Sequence, residues 1–255
     1  MQSLDQKVVV VAGSATGIGA ATAKRLAAAG VCVVAGDRNG DGAASIVEEI
    51  VADGGKATAF TFDISVETDC QNLIAHAVDT FGGLDGLFNV AADTSPGTLG
   101  SDTHLLDVPV EVWKRTLDVD LTGYFYTSRA ALPALLERGG GAIVNTISGL
   151  VLQGDPVRVA YGAAKGGIVP LTKHIATRWG KDGIRCNAIA PGFILTEQGL
   201  RNVPADEHQR LLAMVRSPRL GRAEDIAAMA AFLLSDDGAW INGQVYPVNG
   251  GTGLR

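Results

Sequence analysis

Tyr161 and Lys165 stand four positions apart in the run Tyr-Gly-Ala-Ala-Lys, so on a helix a phenol and an ammonium share one face a turn apart. Alcohol oxidation needs a base to take the hydroxyl proton while a hydride leaves the carbon. A phenol with a pKa near 10 serves poorly at neutral pH unless nearby positive charge favours its phenolate, and Lys165 would supply such charge. The spacing alone also fits an ordinary amphipathic helix. What singles it out is the preceding apolar run, which ends in Asn145-Thr146-Ile147-Ser148 and sets a hydroxyl donor at the carboxyl edge of a buried strand, where α/β sheets bind ligands.

A second signal lies near the start. Gly13-Ser14-Ala15-Thr16-Gly17-Ile18-Gly19 follows an apolar run and opens a helical pattern. In such a turn the first glycine makes the bend, the second lets backbone approach a pyrophosphate, and the third lets helix pack on strand; Thr16 and Ile18 would lie along the phosphates. Eighteen residues past Gly19, at the end of the second strand, Asp37 is placed to accept both hydroxyls of an adenine-side ribose and to repel a 2′-phosphate. NAD is therefore expected rather than NADP, although the neighbouring Arg38 could hold a phosphate. Asp63, with Ile64, ends the third strand, either beside the adenine or as a simple cap of the next helix. An oxidised nicotinamide would add to the positive charge around Tyr161.

These residues need elements to hold them. Apolar β-branched runs alternate with alanine-rich stretches of helical period, the pattern of βαβ units around a parallel sheet covered on both faces. Seven strands are expected in one sheet: Val8 to Ala12, Val31 to Gly36, Ala57 to Phe62, Gly86 to Val90, Ala142 to Ile147, Arg185 to Ala190 and Gln244 to Val248. Helices are expected at Ile18 to Ala29, Gly42 to Ala52, Val66 to Phe81, Val110 to Arg138, Val159 to Trp179 and Glu224 to Leu234, the first three closed by glycines at Gly30, Gly54 and Gly82. Pro133 and Pro170 fall inside two of these, so either those helices kink or their boundaries are misplaced. Residues 195–217 are polar and poorly periodic, and read as a mobile insertion beside the substrate site.

The 255 residues, 47% of them hydrophobic, can bury one substantial core, and a single domain over 1–255 is expected. A net charge of -6, with no basic stripe, argues against nucleic acid as a partner. Three scattered cysteines suit a reducing cytoplasm better than a disulfide framework, and no apolar run reaches the roughly 18 residues that span a bilayer. The four histidines share no metal-binding spacing, so no metal is expected.

Taken in order, Gly13-x-x-x-Gly17-x-Gly19, Asn89-Val90-Ala91-Ala92, Ser148, Tyr161-x-x-x-Lys165, Asn187 and Pro191-Gly192 resemble the classical short-chain dehydrogenase/reductase family over nearly the whole chain. The resemblance implies a doubly wound Rossmann domain in which Ser148 steadies the reacting oxygen, Tyr161 acts as acid and base, and Lys165 holds the nicotinamide ribose. It places Asn89 and Ala91 by the cofactor, lines the nicotinamide side with Pro191, Gly192, Ile194 and Thr196, and implies a homotetramer built through the long helices and the last strand. Five positions depart from the pattern: Ala12 replaces a threonine, Val90 and Ala92 alter the Asn-Asn-Ala-Gly motif, Asn249 replaces an aspartate, and Asp120 stands where the family has the asparagine of a proton relay. A carboxylate there accepts hydrogen bonds but cannot donate, and its charge opposes the phenolate, so either Asp120 keeps the relay with an alkaline-shifted profile or it points away as a surface acid.

Residues 93–108, 149–158 and 193–216 are expected to wall the substrate site. Leu150, Val151, Leu152, Phe193, Leu195 and Met214 there hint at an alicyclic, aromatic or steroid-like secondary alcohol or ketone, though loop leucines also serve as packing. The leading reading is an NAD-linked alcohol dehydrogenase. A 3-oxoacyl thioester reductase using NADPH, and a dinucleotide-binding regulator of weakened chemistry, are the alternatives; Asp37 speaks against the first and the intact Ser148, Tyr161 and Lys165 against the second.

Overall fold

A computed structural model describes residues 4–195 and 205–253. Seven parallel strands form one sheet in the order β3-β2-β1-β4-β5-β6-β9. The strands are β1 Val8–Ala12, β2 Cys32–Asp37, β3 Lys56–Thr61, β4 Gly86–Asn89, β5 Gly141–Thr146, β6 Ile184–Pro191 and β9 Val245–Val248; a two-residue pair, β7 Ile194–Leu195 and β8 Gly221–Arg222, stands apart from the sheet. Central strands are fully buried, as with the Val-Val-Val-Val-Ala of β1, because helices cover both faces. All seven expected strands form, six of them displaced by one residue at one or both ends.

One apolar layer packs β1, β4, β5 and β6 against α3 (Glu67–Phe81), α5 (Gly123–Glu137) and α7 (Val159–Trp179), around Leu73, Leu135, Ile143 and Ile168. The opposite layer packs the sheet against α1 (Gly17–Ala28), α2 (Gly40–Ala52) and α9 (Ala223–Leu234), around Leu26, Val33, Phe88 and Leu233. Strand order reverses between β1 and β4, which leaves a crevice at their carboxyl ends, the position where doubly wound sheets take ligands.

Three local differences from the sequence reading matter. The stretch expected as one helix, 110–138, is α4 (Val110–Leu117) and α5 joined by a π turn at Asp118–Thr122 that contains Asp120; such turns insert a residue into the helical ladder and redirect side chains. Pro133 and Pro170 do lie inside α5 and α7, so those boundaries stand. The segment 195–217 is not featureless: a ten-residue helix, α8 (Ala205–Met214), occupies much of it, while residues 196–204 lie outside the described residues. A short helix, α6 (Leu150–Gln153), follows β5. Among the described residues no helix is long and apolar enough to cross a membrane.

Candidate active site

The crevice opens into a cleft of about 1810 Å³, larger than the 300–1,000 Å³ usual for a single small ligand and so able to take a dinucleotide with a substrate. One end is the glycine turn. A Cβ on Gly19 would stand 1.8 Å from the Gly13 carbonyl oxygen and one on Gly13 2.5 Å from the Ala91 nitrogen, so neither position admits a side chain. At the start of α1, Thr16 makes no side-chain cap and the first turn carries no acid, so positive helix-end N–H groups face the cleft without a carboxylate partner of their own. That arrangement fits the pyrophosphate of a dinucleotide.

Asp37 ends β2 on the cleft wall, its carboxylate held by the N–H groups of Ala15 and Asn39, both at 2.9 Å. Its remaining lone pairs are open to ribose hydroxyls. Arg38 does not stand free beside it: its guanidinium lies 3.5 Å from Asp93 Oδ2, which also meets Arg115 Nε at 3.3 Å. Arg115 in turn donates to Ser65 Oγ at 2.9 Å and lies 3.7 Å from Asp63. Asp63 lines the cleft and accepts from the Ser65 N–H at 2.8 Å, two residues on; it does not cap α3, whose N-cap is Val66 with no side-chain bond, so the capping alternative fails. Burial pushes Asp63 and Asp93 up, but their serine hydrogen bonds and the two arginines together hold both carboxyls below the usual range.

At the other end Ser148, Tyr161 and Lys165 line the same cleft. β5 delivers Ser148, whose Oγ accepts from the Leu150 N–H at 3.2 Å, and α7 delivers the other two. The Ser148 hydroxyl acts on the Tyr161 phenol and pulls its pKa downward. Lys165 is 1% exposed; its Nζ donates to Tyr124 Oη at 3.0 Å and lies 5.8 Å from the Tyr161 ring centroid. Tyr124, fully buried, donates a hydrogen bond to the Ala91 carbonyl at 3.1 Å. Asp120 is buried directly beneath: at 1% exposure it is no surface acid, which disposes of that alternative. One of its oxygens accepts from the Asp93 N–H at 3.1 Å, and the other has no partner among the described residues.

The electrostatics differ from the expectation of a phenol made acidic by its neighbours. Burial pushes Tyr161 above its ordinary value and the Asp120 carboxylate adds to this, against a smaller pull downward from Ser148 and Arg158. Burial likewise raises Asp120 and lowers Lys165, while the attraction between the two opposes both shifts. In the protein alone, desolvation outweighs the cations, so releasing the phenol proton near neutral pH calls for further positive charge in the cleft.

Most residues expected around the dinucleotide do line this cleft: Gly13, Thr16, Gly17, Ile18, Gly19, Asp37, Arg38, Asp63, Ile64, Ala91, Pro191, Gly192 and Ile194. Asn89 does not. It is fully buried below the floor, where Thr127 Oγ1 donates to it at 2.8 Å and it donates to Asn145 at 2.9 Å, because an amide on a dry inner strand must spend its bonds on the core. Of the six apolar residues expected to meet substrate, only Leu195 lines the cleft; His208 and Leu212, on α8, stand there with it. Thr196 lies outside the described residues. Tyr124 and Arg115 escaped the sequence reading, though each sits on the α4–α5 stretch, one turn after Asp120 and beside the cleft respectively. No group of three or more His, Cys, Asp or Glu side chains among the described residues could hold a metal ion.

Known proteins share this architecture. A family model described as Enoyl-(Acyl carrier protein) reductase matches residues 12–253. A cyclohexanol dehydrogenase of Acinetobacter sp. is 39% identical over 246 residues, covering 96% of this chain and 94% of that protein. A probable short-chain type dehydrogenase/reductase of Bradyrhizobium diazoefficiens is 39% identical over 251 residues, covering 98% and 89%. The solved structure of a 7α-hydroxysteroid dehydrogenase, complexed with NADH and 7-oxo glycochenodeoxycholic acid, matches with a TM-score of 0.90 at 31% identity, over 98% of this chain and 95% of that one. With these matches spanning nearly the whole chain and a Ser, Tyr and Lys constellation at the mouth of a doubly wound sheet, the chain belongs to the short-chain dehydrogenase/reductase family of oxidoreductases.

Proposed function

We propose that this chain oxidises a secondary alcohol on an alicyclic or steroid-like skeleton with NAD, or reduces the matching ketone with NADH. The observation that carries the reading is the convergence of Ser148, Tyr161 and Lys165 on one wall of a cleft whose far end is the glycine turn and Asp37. The substrates named for the cyclohexanol and hydroxysteroid relatives support the ring-shaped alcohol. NAD over NADP rests on two features: the Asp37 carboxylate, which would repel a 2′-phosphate, and the pairing of Arg38 with Asp93, which draws the nearest guanidinium aside.

In the oxidative direction the Ser148 hydroxyl donates a hydrogen bond to the substrate oxygen, and Tyr161 Oη, as phenolate, takes the hydroxyl proton. NAD, when held by the glycine turn and Asp37, would supply the hydride acceptor, and its oxidised nicotinamide ring would supply the positive charge that the buried phenol lacks. Lys165 favours the phenolate and would hold the nicotinamide-side ribose, while Tyr124 fixes its ammonium. Asp120, below Lys165, takes part in carrying the proton onward and, by its charge, moves the active range to higher pH. The chain works as one domain over 1–255, with Leu195 and the α8 residues His208 and Leu212 on the substrate side of the cleft. Three buried free thiols, Cys32, Cys70 and Cys186, suit the cytoplasm, and exposed Phe125 and Leu136 on α5, with Trp240 ahead of β9, suit a homotetramer.

The test is a panel of cyclic and steroidal secondary alcohols with NAD or NADP, and a 3-oxoacyl thioester with NADPH, run beside Tyr161→Phe. Turnover of cyclic alcohols with NAD, abolished in the variant, is expected. Binding of NAD without turnover on any member would favour a regulator, and a clear NADP preference would overturn the assignment of Asp37.

A further inference from the structure

The helix that carries Tyr161 and Lys165 is not capped by its own flanking residue. Arg158, at the N-terminal boundary of α7, adopts a left-handed conformation with φ of 59° and offers no side-chain cap. The first helical N–H groups end instead on a segment more than fifty residues earlier. Ala160 N and Tyr161 N donate to the two carboxylate oxygens of Asp102 at 3.0 and 2.7 Å. Arg158 N and Val159 N donate to the carbonyls of Asp102 and Thr103 at 3.2 and 3.4 Å. The first bond within the helix is Gly162 N to Arg158 O, at 2.9 Å. Four successive donors therefore rest on two residues.

Asp102 is 4% exposed, which is rare for a carboxylate unless its bonds are satisfied, and here both oxygens are engaged by the positive end of a helix. It belongs to the loop between β4 and α4. The same loop contributes Asp93, Thr94, Ser95 and Pro96 to the wall of the cleft, and Asp93 Oδ2 meets the arginines at the adenine end. One connection thus touches the cofactor end, the substrate wall and the backbone nitrogen of Tyr161 itself.

We infer that Asp102 is a positioning residue for Tyr161, locking the cleft-wall loop to the first turn of α7 so that the phenol stands at the reacting oxygen. Charge-assisted bonds to backbone N–H groups are short and directional, and a displacement of about 1 Å in a reacting group can cost on the order of a hundredfold in rate. A mere stability cap would lower the folded fraction alone. A positioning residue lowers turnover in the folded enzyme. The inference rests on Tyr161 being the proton-transferring group, as proposed above.

The experiment compares wild type, Asp102→Ala and Asp102→Asn. The alanine variant is expected to lose at least tenfold in kcat on a cyclic alcohol at saturating NAD. Its NAD dissociation constant, measured by calorimetry on the intact protein, should stay within twofold, since the glycine turn and Asp37 are untouched. The asparagine variant keeps one acceptor and should recover part of the turnover. Amide hydrogen exchange at Ala160 and Tyr161 should quicken in the alanine variant, a readout that needs no activity. Unchanged kcat and unchanged exchange would overturn the inference, as would loss of turnover and NAD binding in step with loss of folded protein. If the alanine variant does not fold, lowered kcat with intact NAD binding in Asp102→Asn supports the role and wild-type kcat overturns it. Wild type without turnover on the whole panel sinks the proposed function, while the exchange comparison still decides whether Asp102 tethers the helix.

Discussion

Replacing Lys165 with methionine keeps the stem of the side chain and removes its charge. The ammonium lies 5.8 Å from the centroid of the Tyr161 ring. At an effective dielectric of about 20, one unit charge at that separation is worth about 3 kcal/mol, or about two pKa units of phenol acidity. In Lys165→Met the phenolate limb of alcohol oxidation should therefore move toward higher pH by as much as two units, and kcat at neutral pH should fall by about a hundredfold. A counter-effect bounds the change. Asp120 is already raised by burial, and loses in Lys165 the cation that held it down; if it takes up a proton its opposition to the phenolate vanishes, so the net shift is smaller than about two units but still upward. The assay is initial-rate oxidation of a cyclic alcohol at saturating NAD from pH 6 to 11, with lysine and methionine enzymes side by side. A loss of equal size at every pH, with the limb unmoved, would refute the electrostatic role and leave Lys165 as a ribose holder only.

Asp120→Asn should move the same limb to lower pH, because the carboxylate is one of the two causes that raise Tyr161; an unmoved limb would remove Asp120 from the proton path. Gly19→Ala should abolish NAD binding, since its Cβ would lie 1.8 Å from a backbone oxygen of the turn, and a wild-type dissociation constant would show that the turn does not hold the pyrophosphate. Tyr124→Phe removes the oxygen that accepts from Lys165 at 3.0 Å. A buried charge short of one bond should cost about 1.5–3 kcal/mol in unfolding free energy and lower kcat; urea denaturation matching wild type would count against the bond.

The sheet was legible in the sequence because strands buried on both faces read as uninterrupted Val, Ile and Ala runs, β1 being the clearest, and because Gly30, Gly54 and Gly82 punctuate them at positive φ. The glycine turn, Ser148, Tyr161 and Lys165 were legible for a related reason: each has a fixed offset from a strand end. Asp102 was not, since its role depends on a contact 58 residues along the chain that no local pattern announces. Nor was the π turn around Asp120, which costs the helix one register step without leaving any breaker residue in Asp-Val-Asp-Leu-Thr. The family resemblance puts Asn89 by the cofactor; its amide bonds Thr127 and Asn145 inside the core instead. Helix α8 hid in a stretch whose polar composition masks its period.

The amides beneath the cleft floor bear on how the chain folds. Asn89 lies directly across from Asn145 in the β4–β5 pairing, and Asn145 continues to Thr172 on α7 at 3.0 Å. Parallel strands made of nearly interchangeable aliphatic runs can slide past one another with little penalty from apolar contacts alone. A slip of one residue would carry each amide to the opposite layer, among hydrocarbon side chains with nothing to bond. The pair thus acts as an alignment pin, favouring a single register in the middle of the sheet.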